Sequence, residues 1–248
     1  MTGAILNAAG IIAGGIVGLA RANPLRPATQ SFFKVALGVC TIYCGLRLAW
    51  LSVNGPFLQI IKQLAIALLA VMLGKPAGRL LHFQKVSNHL GQYAREMMDR
   101  AKPGAPHRFN DGFNTCAVLF CAAPLGILGA VQDGLPAGGL SRYTYTLAIK
   151  AVMDALATMS FARMFGWGTM LSAVPVLVFQ GTVTLVCSQY LEPFLRTHGS
   201  VNLVDSVNCV GGLLVCTVGL VIFEFRKVEL ADYLPSLALA PLLAWFWK

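Results

Sequence analysis

Charged residues are scarce in this sequence of 248 residues. They make up 12% of the chain, about half the share found in soluble domains, and only 10 of them are acidic. Hydrophobic residues account for 56% and gather in long runs on both sides of a basic segment at 75–111. The scarcity of charge excludes an ordinary cytosolic globular enzyme, and the long apolar runs predict a polytopic membrane protein.

Signatures of several other classes are also missing. The alternating ten-residue pattern of a membrane β-barrel does not occur, so the expected fold class is all-α and membrane-embedded. The seven cysteines lie in apolar stretches and form no Cys-x-x-Cys pair, which is typical of small membrane residues. Without a Gly-x-Ser-x-Gly, Walker or His-Glu-x-x-His motif, we expect no enzyme, no cofactor and no metal site. The positive excess is too dilute to indicate a nucleic-acid partner.

Eight apolar windows are long enough to cross the hydrocarbon core, which needs about 20 helical residues. They cover residues 3–21, 32–52, 57–76, 112–133, 144–165, 168–190, 206–225 and 231–247, within a single membrane domain of residues 1–248. The last window is short and contains Pro235 and Pro241, which favour a kink or a re-entrant segment. The first window has no basic residue before it, so no cleavable signal peptide is expected.

The distribution of basic residues sets the expected orientation. Segment 75–111 carries seven Lys and Arg residues and is placed in the cytoplasm by the positive-inside rule. Alternation of the spans then puts thirteen basic residues inside and at most five outside, with both termini outside. Within residues 77–111, apolar positions recur at helical spacing from Leu80 to Met97 and predict an amphipathic helix on the inner surface. Lipid binding and simple packing on the bundle both remain open for it.

Spans one to three and six to eight share short motifs. Gly3, Leu6, Asn7 and Ala8 align with Gly168, Leu171, Ser172 and Ala173, and the pair Gly38 and Gly45 aligns with Gly212 and Gly219. The first repeat is residues 3–76, the second is residues 168–247, and the central helices of 112–165 lie between them. Because five span positions separate the copies, they run in opposite directions through the membrane. This predicts an inverted repeat, the usual basis of alternating access, with chance similarity as the alternative.

Two charged residues lie in the middle of span five. Lys150 and Asp154 are one helical turn apart, and an isolated charge at a helix centre costs about 2.5–3.5 kcal/mol on insertion scales. Both side chains are therefore expected to face the bundle interior. A charge pair that holds helices together and a substrate or proton site are both compatible with this pattern.

The other candidate substrate- or ion-binding residues are polar or helix-breaking. They are Pro124, Gln132 and Asp133 in span four, Gln180 and Ser172 in span six, and Asn7 in span one. Pro124 either opens a polar cavity or only kinks the helix. Asn7 lies near a helix end, where hydrogen bonding between helices is the commoner role. Gly10, Gly14 and Gly18 form a smooth face that favours packing within the monomer over a dimer contact, although a homo-oligomer is left open.

Four stretches together resemble one family. They are Gly3-Ala-Ile-Leu-Asn7, Ala123-Pro124-Leu-Gly-Ile-Leu-Gly129-Ala-Val-Gln132-Asp133-Gly134, Lys150-x-x-x-Asp154 and Ser172-Ala-x-Pro175-Val-Leu-x-x-Gln180-Gly181. The chain is similar to the YqgA/YdfK-like family of bacterial inner-membrane proteins, a domain of unknown function. The resemblance implies an inner-membrane location and carries over no substrate.

The function expected from the residues is that of a secondary transporter or permease for a small polar or ionic solute. Its partners would be the lipid bilayer and that solute. A passive channel would share the polar lining without a closed intermediate. A non-transporting membrane interaction or signalling protein is the alternative from another class.

Overall fold

The structure is a computed structural model that describes residues 1–21, 23–100, 109–137, 143–198, 202–225 and 228–247. The α-helices are α1 (Thr2–Ala20), α2 (Pro27–Leu51), α3 (Phe57–Leu80), α4 (Phe83–Arg100), α5 (Phe109–Ala122), α6 (Pro124–Gly134), α7 (Tyr145–Phe165), α8 (Ala173–Val186), α9 (Glu192–His198), α10 (Asn202–Ile222) and α11 (Ser236–Phe246). A 3₁₀ helix at Trp167–Ser172 leads into α8, a π-helical turn at Cys187–Leu191 joins α8 to α9, and a 3₁₀ helix at Leu230–Tyr233 precedes α11. The predicted all-α class is confirmed.

Apolar side chains face outward and polar side chains face inward. Trp50, Leu58 and Phe225 are each more than three-quarters exposed, whereas Asn7 and Gln180 are fully buried. Large exposed apolar surfaces are unfavourable in water but are the normal boundary of a protein solvated by lipid tails. The surface therefore agrees with the membrane class that the composition predicts.

The predicted count of eight spans is not confirmed. Within the described ranges, five helical segments are long and apolar enough to cross a membrane, and α5 with α6 makes a sixth if this bent pair is one span. α7 has sufficient length at 21 residues, but Lys150 and Asp154 lower its mean hydropathy. α11 has only 11 residues and contains Pro241. α7 is therefore excluded from the candidate spans by its buried charges, and α11 is excluded by its short length.

The amphipathic segment forms a separate helix, α4, after a tight turn. α3 runs through Pro76 and ends at Leu80, four residues beyond the predicted end of the third span. His82 then adopts a φ of 59°, in the left-handed region, and separates α3 from α4. The predicted helix is thus present, while residues 101–108 of the predicted segment lie outside the described ranges.

The glycine face of α1 packs against α7 within the monomer, as predicted. A Cβ added to Gly10 would lie 2.7 Å from the carbonyl oxygen of Ala151, so only glycine permits this approach. Successive contacts join Gly10 to Ala151, Gly14 to Ala155, and Gly18 to Met159. Because both residue numbers rise together, α1 and α7 run parallel with their backbones in contact.

α2 and α10 cross in the opposite sense, also through glycines. Gly45 lies against Gly212 and Gly38 lies against Gly219, so the two helices are antiparallel. The Cys216 thiol donates to the Ile42 carbonyl at 3.5 Å, midway between those contacts. α3 is also antiparallel to the segment that leads into α11, since Gly74 faces Ser236 at the start of α11 and Gly78 faces Asp232 in the 3₁₀ helix before it.

The first and sixth spans fit the predicted repeat less well. α1 is a continuous α-helix from Thr2, whereas the aligned residues from Trp167 to Ser172 form a tighter 3₁₀ helix. The two segments are antiparallel, because Asn7 contacts Gln180 and Gly15 contacts Met170. The inverted repeat as a whole stays a prediction.

Candidate functional site

Lys150 and Asp154 form an ion pair on α7 inside the molecule. Lys150 Nζ lies 2.6 Å from Asp154 Oδ2, and the two side chains are 3% and 8% exposed. Lys150 Nζ also lies 5.7 Å from the centroid of the Phe120 ring on α5, a distance at which an ammonium group is attracted to an aromatic face. Both charges face the bundle interior, as their insertion cost requires.

Asn7 on α1 and Gln180 on α8 extend this ion pair into a polar cluster. Asn7 Nδ2 donates to Gln180 Oε1 at 3.0 Å, and the Asn7 amide also interacts with the Asp154 carboxylate. The hydrogen bond between α1 and α8 confirms the interhelical role expected for Asn7. We call Lys150, Asp154, Asn7 and Gln180 the central cluster.

The helix break predicted at Pro124 is present. α5 ends at Ala122, α6 begins at Pro124, and the two helix directions differ by 58°. Proline suits the first position of a helix because that position needs no N–H donor. The same missing N–H leaves the Phe120 carbonyl without the hydrogen bond that a continuous helix would give it. The break places the Phe120 carbonyl oxygen 3.5 Å from the position of a Cβ added to Gly126.

Gly126, in the first turn of α6, is where the break meets the central cluster. A Cβ added to Gly126 would lie 2.8 Å from Lys150 Cε and 3.1 Å from Gln180 Nε2. Gln180 Nε2 and Asn7 Oδ1 have no hydrogen-bond partner within the described part of the chain, although both side chains are fully buried. A buried polar atom left unpaired costs about 1–3 kcal/mol, so this junction favours a ligand that supplies partners.

Rows of buried polar residues continue the central cluster along two helices. On α7 the row is Thr146, Lys150, Asp154 and Thr158; on α8 and the following turn it is Gln180, Thr184 and Ser188. Residues four apart lie on one face of a helix, and twelve residues of helix cover about 18 Å. The Thr184 hydroxyl donates to the Ala130 carbonyl of α6 at 3.1 Å. α6 therefore contacts both rows.

Gln132 and Asp133 lie at the other end of α6 and form a second group. Asp133 Oδ2 is 3.0 Å from the α-amino nitrogen of Met1. Gln132 Oε1 accepts a hydrogen bond from the Thr146 hydroxyl, and Gln132 Nε2 faces Gly211 without a partner in the described ranges. The predicted site residues are therefore not gathered into a single site.

Ser172 belongs to neither group. It lies in the 3₁₀ helix before α8, and its hydroxyl donates to the Thr169 carbonyl at 2.6 Å. This hydrogen bond satisfies the side chain within its own segment, and two helical turns separate Ser172 from Gln180. The structure shows no contact between Ser172 and the central cluster among the residues it describes.

Two of the cavities lie beside α7 or beside the helix break. One, of about 280 Å³, lies at the carboxyl ends of α1 and α7 and is lined in part by Arg21, Gln30 and Arg163. The other, of about 540 Å³, is mostly apolar and lies between α4 and the break, with Val86 and Pro124 in its lining. The described residues contain no group of three His, Cys, Asp or Glu side chains that could hold a metal ion.

The sequence prediction omits several members of the polar rows. Thr146, Thr158 and Thr184 are wholly or almost wholly buried, and each lies four residues from a predicted site residue on the same helix. Applying the four-residue spacing to threonine as well as to charged and amide residues would have found them. No sequence pattern predicts the contact of Lys150 with Phe120, because this contact depends on how α5 packs against α7.

An outward apolar surface around buried polar rows and a broken helix defines a polytopic helical membrane protein. The chain belongs to the family described as "Protein of unknown function (DUF554)", whose model matches residues 2–245. It is 26% identical over 243 residues to the "Uncharacterized membrane protein YdfK" of Bacillus subtilis (strain 168), covering 98% of this chain and 95% of the relative. It is also 26% identical over 246 residues to the "Uncharacterized protein YqgA" of Escherichia coli (strain K12), covering 99% and 97%. No solved structure matches the chain. The resemblance seen in the sequence is thus confirmed.

Proposed function

We propose that this protein is a secondary transporter of the bacterial inner membrane that moves a small polar or ionic solute by alternating access. The central cluster carries the proposal, because it places an ion pair and two amides from three helices against the break between α5 and α6. A purely structural ion pair needs neither the broken helix nor the unpartnered amide atoms of Asn7 and Gln180. Discontinuous helices with free backbone groups beside polar side chains are typical of substrate sites in transporters.

The polar rows offer a route toward the central cluster. From Thr146 to Thr158 the row on α7 covers about 18 Å, more than half of a hydrocarbon core of about 30 Å. α6 contacts both rows, through Thr146 at one end and Thr184 in its middle part. A movement of α6 would therefore open or close the space between α7 and α8.

Complete burial of the central cluster favours a carrier over a passive channel. Asn7 and Gln180 have no exposed surface, and Lys150 and Asp154 have almost none, so a solute reaches them only after the helices rearrange. The antiparallel pairs α2 with α10 and α3 with the segment that leads into α11 support the two-fold relation expected of an inverted repeat. Gly45 contacts the residue aligned with Gly38, and Gly38 contacts the residue aligned with Gly45, as a two-fold axis through this crossing requires.

The remaining predictions complete the proposal. The protein is a permease and not an enzyme, both termini lie outside, and segment 75–111 lies in the cytoplasm with α4 on the inner membrane surface. Its partners are the bilayer and the transported solute. The two copies of the repeat move against each other around α6 and α7.

Uptake into proteoliposomes tests the proposal directly. Purified protein would be offered a panel of radiolabelled metabolites with a proton gradient, with a sodium gradient and with neither. We expect at least one solute to accumulate above its external concentration and to leak back when an ionophore collapses the gradient. Single-channel currents of fixed conductance in planar bilayers would identify a channel instead. Absence of flux together with tight lipid or protein binding through α4 would favour an interaction protein.

A further inference from the structure

We propose that the junction at Gly126 binds a small monovalent anion, a monocarboxylate or an inorganic monoanion, together with one proton taken up by Asp154. This inference rests on the transport function proposed above and names its substrate class and coupling ion. Two side-chain hydrogen-bond donors, the Gln180 amide and the Lys150 ammonium group, meet at the junction beside the amino end of α6.

The unpartnered nitrogen of Gln180 is the observation that indicates an anion. The Gln180 oxygen already accepts from Asn7, so its free Nε2 can only donate. This nitrogen lies 3.1 Å from the position of an added Cβ on Gly126, beside the amino end of an 11-residue helix. The helix dipole attracts negative charge to the amino end of α6, where Pro124 has no N–H and the Gly126 N–H already donates to the Ala123 carbonyl. A Cβ at Gly126 would lie 2.8 Å from Lys150 Cε, so a ligand binds here only once the Lys150 side chain shifts.

Charge balance links the anion to a proton. With Asp154 ionised, the ion pair with Lys150 is neutral overall, and adding a monoanion would leave one uncompensated negative charge in a low-dielectric interior. If a proton from water forms an O–H bond on the Asp154 carboxylate, Lys150 loses its counter-ion and pairs with the incoming anion. The occupied site is then neutral again, so anion and proton enter and leave together without net charge movement.

The surroundings of Asp154 suit this exchange. Among the described residues, the titratable groups near its carboxylate are Lys150 on α7 and the thiols of Cys116 and Cys121 on α5. α1 contributes the neutral amide of Asn7, and α8 contributes Gln180. The only ionic partner among these neighbours is Lys150, so protonation of Asp154 changes the charge that Lys150 presents to the junction.

The cavity at the carboxyl ends of α1 and α7 fits an entrance for anions. Arg21 and Arg163 line it, and its wall includes Leu156 and Met159, two and five residues beyond Asp154 along the same helix. Clefts lined by one sign of charge raise the local concentration of ions of the opposite sign. An anion drawn into this cavity is thus brought to the inner end of the polar row on α7.

Calorimetry on the full-length protein in phosphatidylcholine nanodiscs tests the site without transport. Formate, chloride and nitrate would serve as monoanions, sulfate as a dianion and glycine betaine as a zwitterion, each titrated in two buffers of different ionisation enthalpy. We expect at least one monoanion to bind with uptake of one proton per anion, and with affinity that falls up to tenfold per pH unit as the pH rises. Comparing formate with chloride and nitrate distinguishes organic from inorganic anions.

Substitutions test the anion site and the proton coupling separately. Gln180→Leu and Lys150→Met should each weaken the binding at least tenfold. Asp154→Asn, which imitates the protonated carboxyl, should bind the anion independently of pH and without proton uptake. Thr41→Val is a matched control, because Thr41 is buried and its hydroxyl donates to the Leu37 carbonyl of its own helix. It should bind like the unmodified protein, and all variants should elute as a single species of unchanged size.

Three results would overturn the inference. Monoanion binding without proton uptake would reject the proposed coupling to Asp154. Monoanion binding that is unaffected by Gln180→Leu would reject the proposed site at Gly126. Accumulation of a neutral, cationic or zwitterionic solute by protein that binds no monoanion leaves the transporter standing and rejects the substrate class. Conversely, anion binding without any uptake into proteoliposomes keeps the site and rejects transport.

Discussion

Asp154 has the largest expected effect of any single residue, because its charge is both buried and paired. In the proposed cycle its carboxylate must gain and lose a proton, which an amide cannot do. We expect Asp154→Asn to lower gradient-driven accumulation at least tenfold in proteoliposomes while the protein still inserts and elutes as a single species. Thr41→Val, at an equally buried polar position, should retain uptake.

The alternative role of the ion pair makes the opposite prediction. Removing one partner of a structural buried pair costs about 3–5 kcal/mol, whereas replacing both by apolar residues is often neutral. If Asp154→Asn misfolds and the double variant Lys150→Met with Asp154→Leu recovers both stability and uptake, the pair is structural. Recovery of stability without uptake would instead keep the site in the transport cycle.

Gly14 is a residue at which packing leaves no room for a side chain. An added Cβ there would overlap the carbonyl oxygen of Ala155, which belongs to the α7 backbone and cannot rotate away. We expect Gly14→Val to separate α1 from α7 and to destabilise the protein by about 1–3 kcal/mol or more, measured as a lower thermal midpoint in detergent. Ala13→Val is the matched control, since Ala13 is exposed on the outer face of the same helix. Equal midpoints for the two variants would contradict the close contact between α1 and α7.

At the scale of elements, the break between α5 and α6 depends on Pro124. Pro124→Ala restores an N–H that can bond to the Phe120 carbonyl, which favours a straighter helix and moves Gly126 away from Lys150. We expect uptake to fall at least tenfold without loss of stability. Pro27→Ala is the control, because Pro27 holds the same first position in the uninterrupted helix α2. Unchanged uptake by Pro124→Ala would show that the bend is only a packing kink.

Glu229 connects α3 to the segment before α11. Its carboxylate lies 2.9 Å from Arg79 Nη2 and 3.7 Å from Lys75 Nζ, and the hydrogen bond and charge of Arg79 hold the pKa of Glu229 below its ordinary value of 4.5. A carboxylate with a lowered folded-state pKa adds stability above the unfolded value, and this is lost as pH falls through the folded pKa.

The Glu229 ion pair should therefore add a small amount of stability, and only above the folded-state pKa of Glu229. We expect Glu229→Gln to lower the thermal midpoint slightly at neutral pH and low salt, and to have no effect in acid below the folded pKa or at high salt. Glu96→Gln should change nothing at either pH, since Glu96 pairs at 3.9 Å with Arg100 on its own helix. A difference for Glu229→Gln that persists in acid would mean that the effect is not ionic.

The sequence predicts elements better than it predicts the site. Helical windows are set by apolar length, so seven of the eight contain most of an observed helix, while α5 and α6 divide the fourth. In the site, Asn7 bonds to Gln180, whereas Gln132 lies in a different group from Lys150. Both arrangements depend on the direction in which α6 turns at Pro124. That direction is decided by packing between distant segments, and no local pattern records it. Glycine spacing, in contrast, identified the face of α1 that contacts α7.

At the scale of the whole molecule, the expected topology rests on the unequal distribution of Lys and Arg between the two sides of the membrane. Thirteen basic residues on one side and at most five on the other predict external termini and an internal segment 75–111. Fusions of alkaline phosphatase at the carboxyl terminus should be active, and a fluorescent protein inserted at Gly91, which is open to solvent on α4, should fluoresce. A fluorescent carboxyl-terminal fusion would show that the chain crosses the membrane an odd number of times.

The contact between α1 and α7 also bears on how the chain is made. A ribosome releases α1 long before α7, and α7 alone is a poor substrate for the translocon because its two central charges each carry an insertion cost of about 2.5–3.5 kcal/mol. α1 already holds the partners that lower this cost, since Asn7 meets Asp154 and the glycine face accepts the α7 backbone. We therefore expect entry of α7 into the bilayer to be assisted by a segment synthesised more than a hundred residues earlier. Such assistance requires that the glycine face of α1 is still available when α7 is inserted.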